Sequence, residues 1–365
     1  MKIALLGTRG VPANYGGFET FYEELGKRLA ERGHDITVYC RESYYPEKYD
    51  SYLGMKLVYC QNFKIKSLDT LSHTFFSVLH AIRQPYEVYM VCNAANSPIL
   101  IIPRLLGRKI VINTDGLEWK RGKWGAVAKA YYQCAEWLAT KLSDRIVADS
   151  TGIQDYYLQR YGVESTYIAY GAYPNKSVKP ELLGCLDLNP SEYFLQITRF
   201  EPENNPLLTI EAFKQLKTNK KLVLVGGVPY ESEYSRQIEM QKSDQILLPG
   251  PIYDKELLNE LWCNCYAYIH GNEVGGTNPA LLQAMANGCF TIAIDVSFSR
   301  DVLKDCGIFF DKTASGLSDK MQWSLSHTAK LHDYKSKARN RIKKHYTWDS
   351  ITDDYDALFN GLVAS

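Results

Sequence analysis

No stretch of this 365-residue chain approaches the ~20 consecutive apolar residues of a membrane span. The opening MKIALLGTRG has too short an apolar run for a signal peptide and reads as a first strand. Neither sign of charge is in excess. The 42 basic and 41 acidic side chains nearly cancel, so no nucleic-acid partner is expected. The nine cysteines form no framework. Their one close pair, Cys263 and Cys265, has the wrong spacing for a zinc knuckle or a redox CxxC. An odd, scattered set reads as reduced thiols, and the chain is expected in the cytoplasm. Internal repeats and low-complexity segments are also lacking. Tyrosine, by contrast, is abundant at 27 residues, and most are read as amphipathic packing side chains without chemistry.

What stands out is His270 to Gly288, HGNEVGGTNPALLQAMANG, which reads as loop then helix. Gly271, Gly275 and Gly276 keep side chains off the backbone. Thr277 and Asn278 suit a helix N-cap and Pro279 the first turn. Ala280 to Ala286 are mostly strong helix formers, and Gly288 ends the run. An apolar strand, Tyr266 to Ile269, comes before. A strand that feeds a glycine loop opening a helix favours an anion, through free N–H groups and the helix dipole. The competing reading is an ordinary βα turn.

The first half alternates strands with helices. Strands are expected at Lys2–Leu6, Asp35–Cys40, Tyr86–Cys92, Lys109–Asn113 and Arg145–Ala148. A glycine loop follows the first strand, and Phe18, Phe21, Tyr22, Leu25 and Leu29 then fall at helical spacing up to Gly33. Asp149 and Ser150 cap a helix with Ile153 and Tyr157. A stretch without period, Tyr170 to Pro190, separates the halves. The rhythm restarts with strands at Tyr193–Thr198, Lys221–Val225, Gln245–Leu248 and Thr291–Ile294, and helices at Pro206–Lys217 and Lys255–Trp262. Trp348 opens a last helix. The pattern predicts an α/β chain of two doubly wound parallel sheets with a cleft between the halves, ligands lying at the C-terminal strand ends.

Four segments in order, GTRGVPANYGGFET, TDGLEWKRGKW, TRFEPENN and HGNEVGGTNPALLQAMANG, resemble glycosyltransferase family 4, the retaining enzymes of the GT-B fold. The chain is most similar to the bacterial rhamnosyltransferase-like subgroup of polysaccharide biosynthesis. The resemblance implies two Rossmann-like domains facing a central cleft. Residues 1–175 would form the acceptor side and 190–345 the nucleotide-sugar side, with 346–365 a terminal helix packing back on the first. It implies no metal and no cofactor. The substrate would be a nucleoside diphosphate sugar, dTDP-, UDP- or GDP-linked, and the acceptor a saccharide or lipid-linked saccharide. The lack of a convincing DxD motif agrees, because Asp353-Asp354 falls in the terminal helix and reads as a solvated face.

Transfer without a metal needs fixed positive charge and N–H donors for the departing dianion. Arg199, just past the strand 193–198, matches the family arginine that holds the diphosphate. Its competing reading is a surface ion pair with Glu201 or Glu203. The family lysine five residues on is Asn204 here, so one positive charge is missing. Gly276, Thr277 and Asn278 would supply N–H groups to the distal phosphate. Gly226, ending the strand 221–225, joins the donor set. The two family glutamates, eight apart, fall on Gly275 and Gln283. Glu273 lies two residues before the first of them, on the same loop, and is the candidate catalytic carboxylate that would reach the site in its place. Gln283 offers one carbonyl acceptor where a carboxylate offers two oxygens; it also suits a solvated helix face. Gly16 and Gly17 would let backbone approach the sugar or acceptor phosphate, or serve only a flexible loop. Asp115 stands where family members place a histidine near the reacting sugar; as a catalytic candidate it would hydrogen-bond a sugar hydroxyl or take the acceptor proton, and it equally suits a turn in TDG.

Between Arg104 and Lys129 lie seven basic side chains, with Trp119 and Trp124 among them. Basic residues with interfacial aromatics suit an anionic surface, implying peripheral attachment to the inner face of the plasma membrane. A solvated patch is the alternative. Two other functions share the fold: a sugar-nucleotide 2-epimerase, which needs carboxylates for elimination, and a non-catalytic sugar-nucleotide binder.

Overall fold

The structure, a computed structural model, describes residues 1–13, 16–65, 68–114, 116–120, 124–228 and 231–364. They divide into two units, 1–171 with 348–365, and 172–347.

The first unit is built on β1 (Lys2–Leu6), whose Ile3 to Leu6 are all buried. Helix α1 (Gly17–Glu31) follows and buries Phe21, Tyr22, Leu25 and Leu29 on one face. Burying each such side chain contributes roughly 1.5–3 kcal/mol. Then come β2 (Asp35–Arg41), β3 (Ser51–Tyr52), β4 (Met55–Cys60), α2 (Asp69–Ala81), β5 (Val88–Cys92), α3 (Ile101–Leu105), β6 (Lys109–Asn113), α4 (Ala126–Leu142), β7 (Arg145–Ala148), α5 (Thr151–Tyr161) and β8 (Thr166–Tyr167). The strand order is β3-β4-β2-β1-β5-β6-β7-β8, parallel but for the β3–β4 hairpin. Ser150 caps α5, its Oγ accepting from Ile153 N–H at 3.3 Å. The order reverses between β1 and β5, and Gly7 allows close approach there. At φ +91° its missing Cβ would lie 2.5 Å from Cys92 O.

The last helix, labelled α13 below, spans Trp348–Ala364 and belongs to this first unit. Tyr355 and Phe359 are buried, and Asn113 Nδ2 donates to the Tyr355 hydroxyl at 3.1 Å. Asp353, read as a solvated face, keeps its exposure but pairs with Arg32 at 2.7 Å.

In the second unit the chain forms β9 (Tyr193–Ile197), α6 (Pro206–Lys214), β10 (Lys221–Val225), α7 (Glu233–Glu239), β11 (Ile246–Gly250), α8 (Lys255–Asn264), β12 (Ala267–His270), α9 (Pro279–Ala286), β13 (Thr291–Ile294), α10 (Ser297–Leu303), β14 (Gly307–Phe310), α11 (Ala314–Ser326) and α12 (Thr328–His345). The sheet is wholly parallel, ordered β11-β10-β9-β12-β13-β14, with its reversal between β9 and β12. Alternate residues feed two cores. Phe194, Leu222, Leu224 and Ile269 enter one, and Tyr193, Leu195, Val223 and Tyr268 the other. Both faces of a parallel sheet are covered, so its strands read as near-continuous apolar runs.

The unit boundary falls at residue 171, four residues before the expected 175, and residues 172–189 join the second unit. A buried carboxylate holds them there. Glu260 on α8 accepts from the Ser177 hydroxyl at 2.5 Å and from the N–H groups of Val178 and Lys179 at 2.8 and 2.9 Å.

Candidate functional site

In open α/β sheets ligands bind beyond the strand C-termini where the order reverses. In the second unit that point lies between β9 and β12, so the loops 198–205 and 271–278 decide the site. Side-chain amides tie the two loops together. Asn204 Nδ2 donates to Arg199 O at 2.9 Å, and its Oδ1 accepts from Asn272 Nδ2 at 2.9 Å. Asn205 Nδ2 donates to Gly271 O at 2.8 Å and also to Glu273 Oε1. Glu273 N–H donates to Glu203 O at 3.0 Å. Asn204 is buried, so the residue at the lysine position braces the loop that carries Arg199.

Arg199 is exposed and makes no ion pair among the described residues; the expected alternative partners, Glu201 and Glu203, do not hold it. A second cation comes from a place the sequence did not mark. Lys312, two residues past β14, pairs with Glu273 at 2.7 Å. Glu273 is thus engaged by Asn205 and Lys312 together.

A pocket of about 240 Å³, open solvent included, lies at the end of β12 and the start of α9. Asn272, Gly275, Gly276 and Asn278 of the predicted loop line it. Val274, Leu281 and Phe298 supply its apolar surface, and His270 and Ser299 its buried polar groups. Strand β12 runs to His270, one residue past the expected end, pairing it with Ala293. His270 is therefore buried in the strand, not in the loop. It stacks near Tyr268 with ring centroids 6.3 Å apart. Burial pushes its pKa down to about 3, so the imidazole is neutral.

The helix start is more committed than its sequence implies. Asn278, and not Thr277, is the cap; its Oδ1 accepts from Ala280 N–H at 2.9 Å and Leu281 N–H at 3.4 Å. Pro279 has no N–H. The first-turn donors are used, so an anion here meets the loop amides ahead of the helix. Thr277 is buried beside them. Gly275, where the family has a glutamate, has φ +144° and open space where a Cβ would stand.

Gln283 does not line the pocket. Its Nε2 donates to Tyr173 O at 2.9 Å and to Asn287 Oδ1 at 3.1 Å. The amide thus fastens the start of the linker, with Oε1 left as its acceptor. Gly226 is explained by backbone approach. At φ +144° its Cβ would sit 1.8 Å from Thr198 O.

In the first unit Gly16 is the N-cap of α1 and Gly17 its first residue. The amides of the preceding loop are partly occupied by the protein's own carboxylates. Glu19 accepts from Arg9 N–H at 3.0 Å and Glu23 from Ala13 N–H at 2.7 Å. Asp115 lies outside the described residues, as do Arg121 and Lys123 of the basic segment. Within that segment Arg104 pairs with Asp144 at 2.6 Å and Arg108 donates to Ile82 O at 3.2 Å. The indole nitrogens of Trp119 and Trp124 are buried, and Trp119 packs toward Tyr156. Both side chains are partly buried. Exposed apolar side chains of the segment include Leu105 (80%), Leu106 (55%) and Val127 (86%). No helix of the described residues is long and apolar enough to cross a membrane, and no group of three His, Cys, Asp or Glu among them is placed to hold a metal.

Residues 187–341 match the family described as Glycosyl transferases group 1, and residues 1–173 the family described as Domain of unknown function (DUF1972). A curated relative from Campylobacter jejuni is 22% identical over 272 residues, covering 71% of this chain and 72% of its own. It is an N-acetylgalactosamine-N,N'-diacetylbacillosaminyl-diphospho-undecaprenol 4-alpha-N-acetylgalactosaminyltransferase. Among solved structures, sucrose-phosphate synthase from Thermosynechococcus elongatus superposes with a TM-score of 0.85 at 19% identity, over 100% of this chain and 99% of that one. Anabaena HepE, solved with UDP and glucose, gives 0.80 at 16%, over 99% and 100%. These likenesses show the fold as GT-B. The chain is a glycosyltransferase, with a group 1 domain in its second half.

Proposed function

We propose that the protein is a retaining, metal-independent glycosyltransferase of family 4. It moves a hexosyl group, rhamnose among the candidates, from a dTDP-, UDP- or GDP-sugar to a saccharide on a lipid carrier in cell-surface polysaccharide assembly. The observation that carries this is the pocket at the β12–α9 turn, inside the domain that matches the glycosyltransferase family. The Campylobacter relative, whose acceptor is a diphospho-undecaprenol saccharide, supports the lipid-linked class of acceptor.

The chemistry follows from charge. A departing nucleoside diphosphate gains negative charge as the glycosidic bond lengthens. Arg199, unpaired and exposed beyond β9, and the loop amides near Gly276 are the groups available to meet it. In front-face substitution the donor phosphate oxygen takes the acceptor proton, so no protein base is required. Asp115 is assigned to a sugar hydroxyl. An epimerase working by elimination needs carboxylates beside the sugar, and none lines the pocket. The inner membrane face is where a lipid carrier would be met, and the exposed apolar residues Leu105 and Val127 support docking through the segment 104–129.

The test is a panel of nucleotide sugars offered with a lipid-linked saccharide in vesicles with and without anionic lipid. The expected product keeps the donor's anomeric configuration, forms in EDTA, and forms faster on anionic vesicles. Arg199→Ala lowers turnover by about 10²-fold or more. Conversion of the free donor to its 2-epimer, or binding without turnover, overturns the transferase reading. A strict Mg²⁺ requirement overturns the metal-independent step, and indifference to anionic lipid removes the membrane surface.

A further inference from the structure

Arg41, the last residue of β2, is a buried cation that the first unit does not fully use. Its Nη1 donates to Asp69 Oδ2 at 2.8 Å and its Nη2 to Thr70 Oγ1 at 3.0 Å. Its Nε is buried and has no hydrogen-bond partner. Buried donors are almost always paired in native proteins, so this one calls for an acceptor. A second guanidinium stands near it. Arg9, on the loop after β1, lies 4.7 Å from the centre of the Tyr44 ring, and Arg41 lies 6.0 Å from the same centre. Like charges gathered around one ring repel, and an anion beside them relieves the repulsion. The carboxylates facing the pair are already engaged. Asp69 also accepts from the Tyr44 hydroxyl at 3.3 Å and from Asn62 Nδ2 at 2.6 Å, and Glu19 from Arg9 N–H at 3.0 Å.

An apolar strip begins at the same carboxylate. Asn62 opens the loop after β4, and Leu68 closes it one residue before Asp69. Phe63 and Ile65 on this loop are each more than half exposed, and Leu68 and Phe75 are exposed as well. Lys64 stands exposed between the first two. The loop is fastened to α2, because Phe63 N–H donates to Ser72 Oγ at 2.9 Å. The Phe63 ring meets Phe76 with centroids 5.9 Å apart, and Phe76 meets Phe75 at 5.6 Å. Large apolar side chains exposed together mark an interaction surface. Strands β4, β2 and β1 are neighbours in the sheet, so the cations and the strip share one C-terminal strand end, where open α/β sheets bind ligands.

We infer that this face of the first unit binds the lipid carrier of the acceptor, with its phosphate ester against Arg9 and Arg41 and its apolar chain along Phe63, Ile65, Leu68 and Phe75. The cations select an anionic head and the strip an apolar tail, and an amphiphilic phosphate ester carries both. The inference rests on the reading above of a lipid-linked acceptor. It gives that carrier a binding site outside the segment 104–129.

Calorimetric titration of the full chain with dimethylallyl diphosphate and with farnesyl diphosphate, in excess UDP, dTDP and GDP to fill the donor site, tests it. Wild-type protein is expected to bind the farnesyl ester more tightly than the shorter one. Phe63→Ser combined with Ile65→Ser is expected to weaken the farnesyl ester about 10-fold and the short ester little. Arg9→Gln is expected to weaken both esters about 10-fold, because a charge-assisted contact is lost. Neither variant should change nucleoside diphosphate affinity or the melting temperature. Wild-type affinity without a gain from chain length overturns the inference. So do unchanged binding in both variants and a loss shared with the nucleoside diphosphate. An equal loss on phosphatidylglycerol vesicles that hold no prenyl diphosphate makes the strip a general bilayer contact and overturns recognition of the carrier. Undiminished sugar transfer to a lipid-linked saccharide in both variants removes the site and leaves the transferase reading standing. The expected binding pattern in a protein that transfers no sugar supports the site and brings down the transferase reading.

Discussion

Gln283 shows how one side chain changes meaning between sequence and structure. Read against the family, it is a weakened ribose ligand, and restoring glutamate should tighten nucleotide binding several-fold. In the structure its amide donates to the carbonyl of Tyr173 and to Asn287, bonds that a carboxylate cannot donate. Gln283→Glu would set an oxygen against a carbonyl oxygen and has to swing away. We expect the variant to lose about 0.5–1.5 kcal/mol of stability as those two hydrogen bonds are given up. If Oε1 also faces the ribose, calorimetry will show tighter nucleotide binding in the same variant. Unchanged melting would mean that the clasp on the linker contributes nothing. Unchanged affinity would leave Gln283 as a clasp alone, and its place in the ribose site would be lost. The neighbouring residues teach the same lesson. Asn204 fills a lysine position and braces Arg199's loop, while Lys312, 39 positions past Glu273, brings a cation that no local motif announces.

At the scale of elements, the site depends on how closely the ends of β9 and β10 approach. Gly226 sits where any Cβ would strike Thr198 O, one residue before Arg199, at a φ that L side chains rarely adopt. Gly226→Ala should therefore push the 198–205 loop aside. Strained backbone of this kind costs of order 1–3 kcal/mol. The expected result is a lower melting temperature together with weaker donor binding, because the displaced loop carries Arg199. Wild-type melting and affinity in this variant would show that the approach is looser than 1.8 Å implies. Elements whose apolar period is regular, such as α1 and β1, could be read in advance. Helix α2, DTLSHTFFSVLHA, could not, because its buried face includes Ser72, His73, Thr74 and Ser77, and polar residues blur the periodicity.

For the whole molecule, each unit carries one deeply buried histidine with a pKa lowered to about 3. His73 is held down by burial and by Arg41, and His270 by burial. The unfolded chain takes up protons at these sites near pH 6.5 while the folded chain does not. Folded stability is thus full above about 6.5 and falls as the pH drops toward 3. The effect reaches up to about 2 kcal/mol per histidine by pH 5. Glu136, whose carboxyl is raised by burial, acts in the opposite sense and only near the carboxylate range. Melting followed from pH 7.5 to 5 should show a falling midpoint. A flat profile would mean that both imidazoles reach water before they titrate. Because the two histidines lie in different units, His73→Leu should remove only the first unit's share.

Much of the frame was legible because it is written in local terms. Alternating apolar runs, glycines after strands and the Asn278-Pro279 start mark βα units, since short-range sterics and burial period decide them within a few residues. The same reasoning marked Gly275, Gly276 and Asn278 as a loop that opens a helix, and they line the pocket there. What tertiary structure alone decided are the matters settled by distant partners. These are the latching of residues 172–189 by Glu260, the pairing of Lys312 with Glu273, and the meeting of His270 and Ser299 at one pocket. Each depends on which side chains from separate strands and helices meet. That outcome is set by the packing of both faces of a parallel sheet, and no spacing within a single segment encodes it.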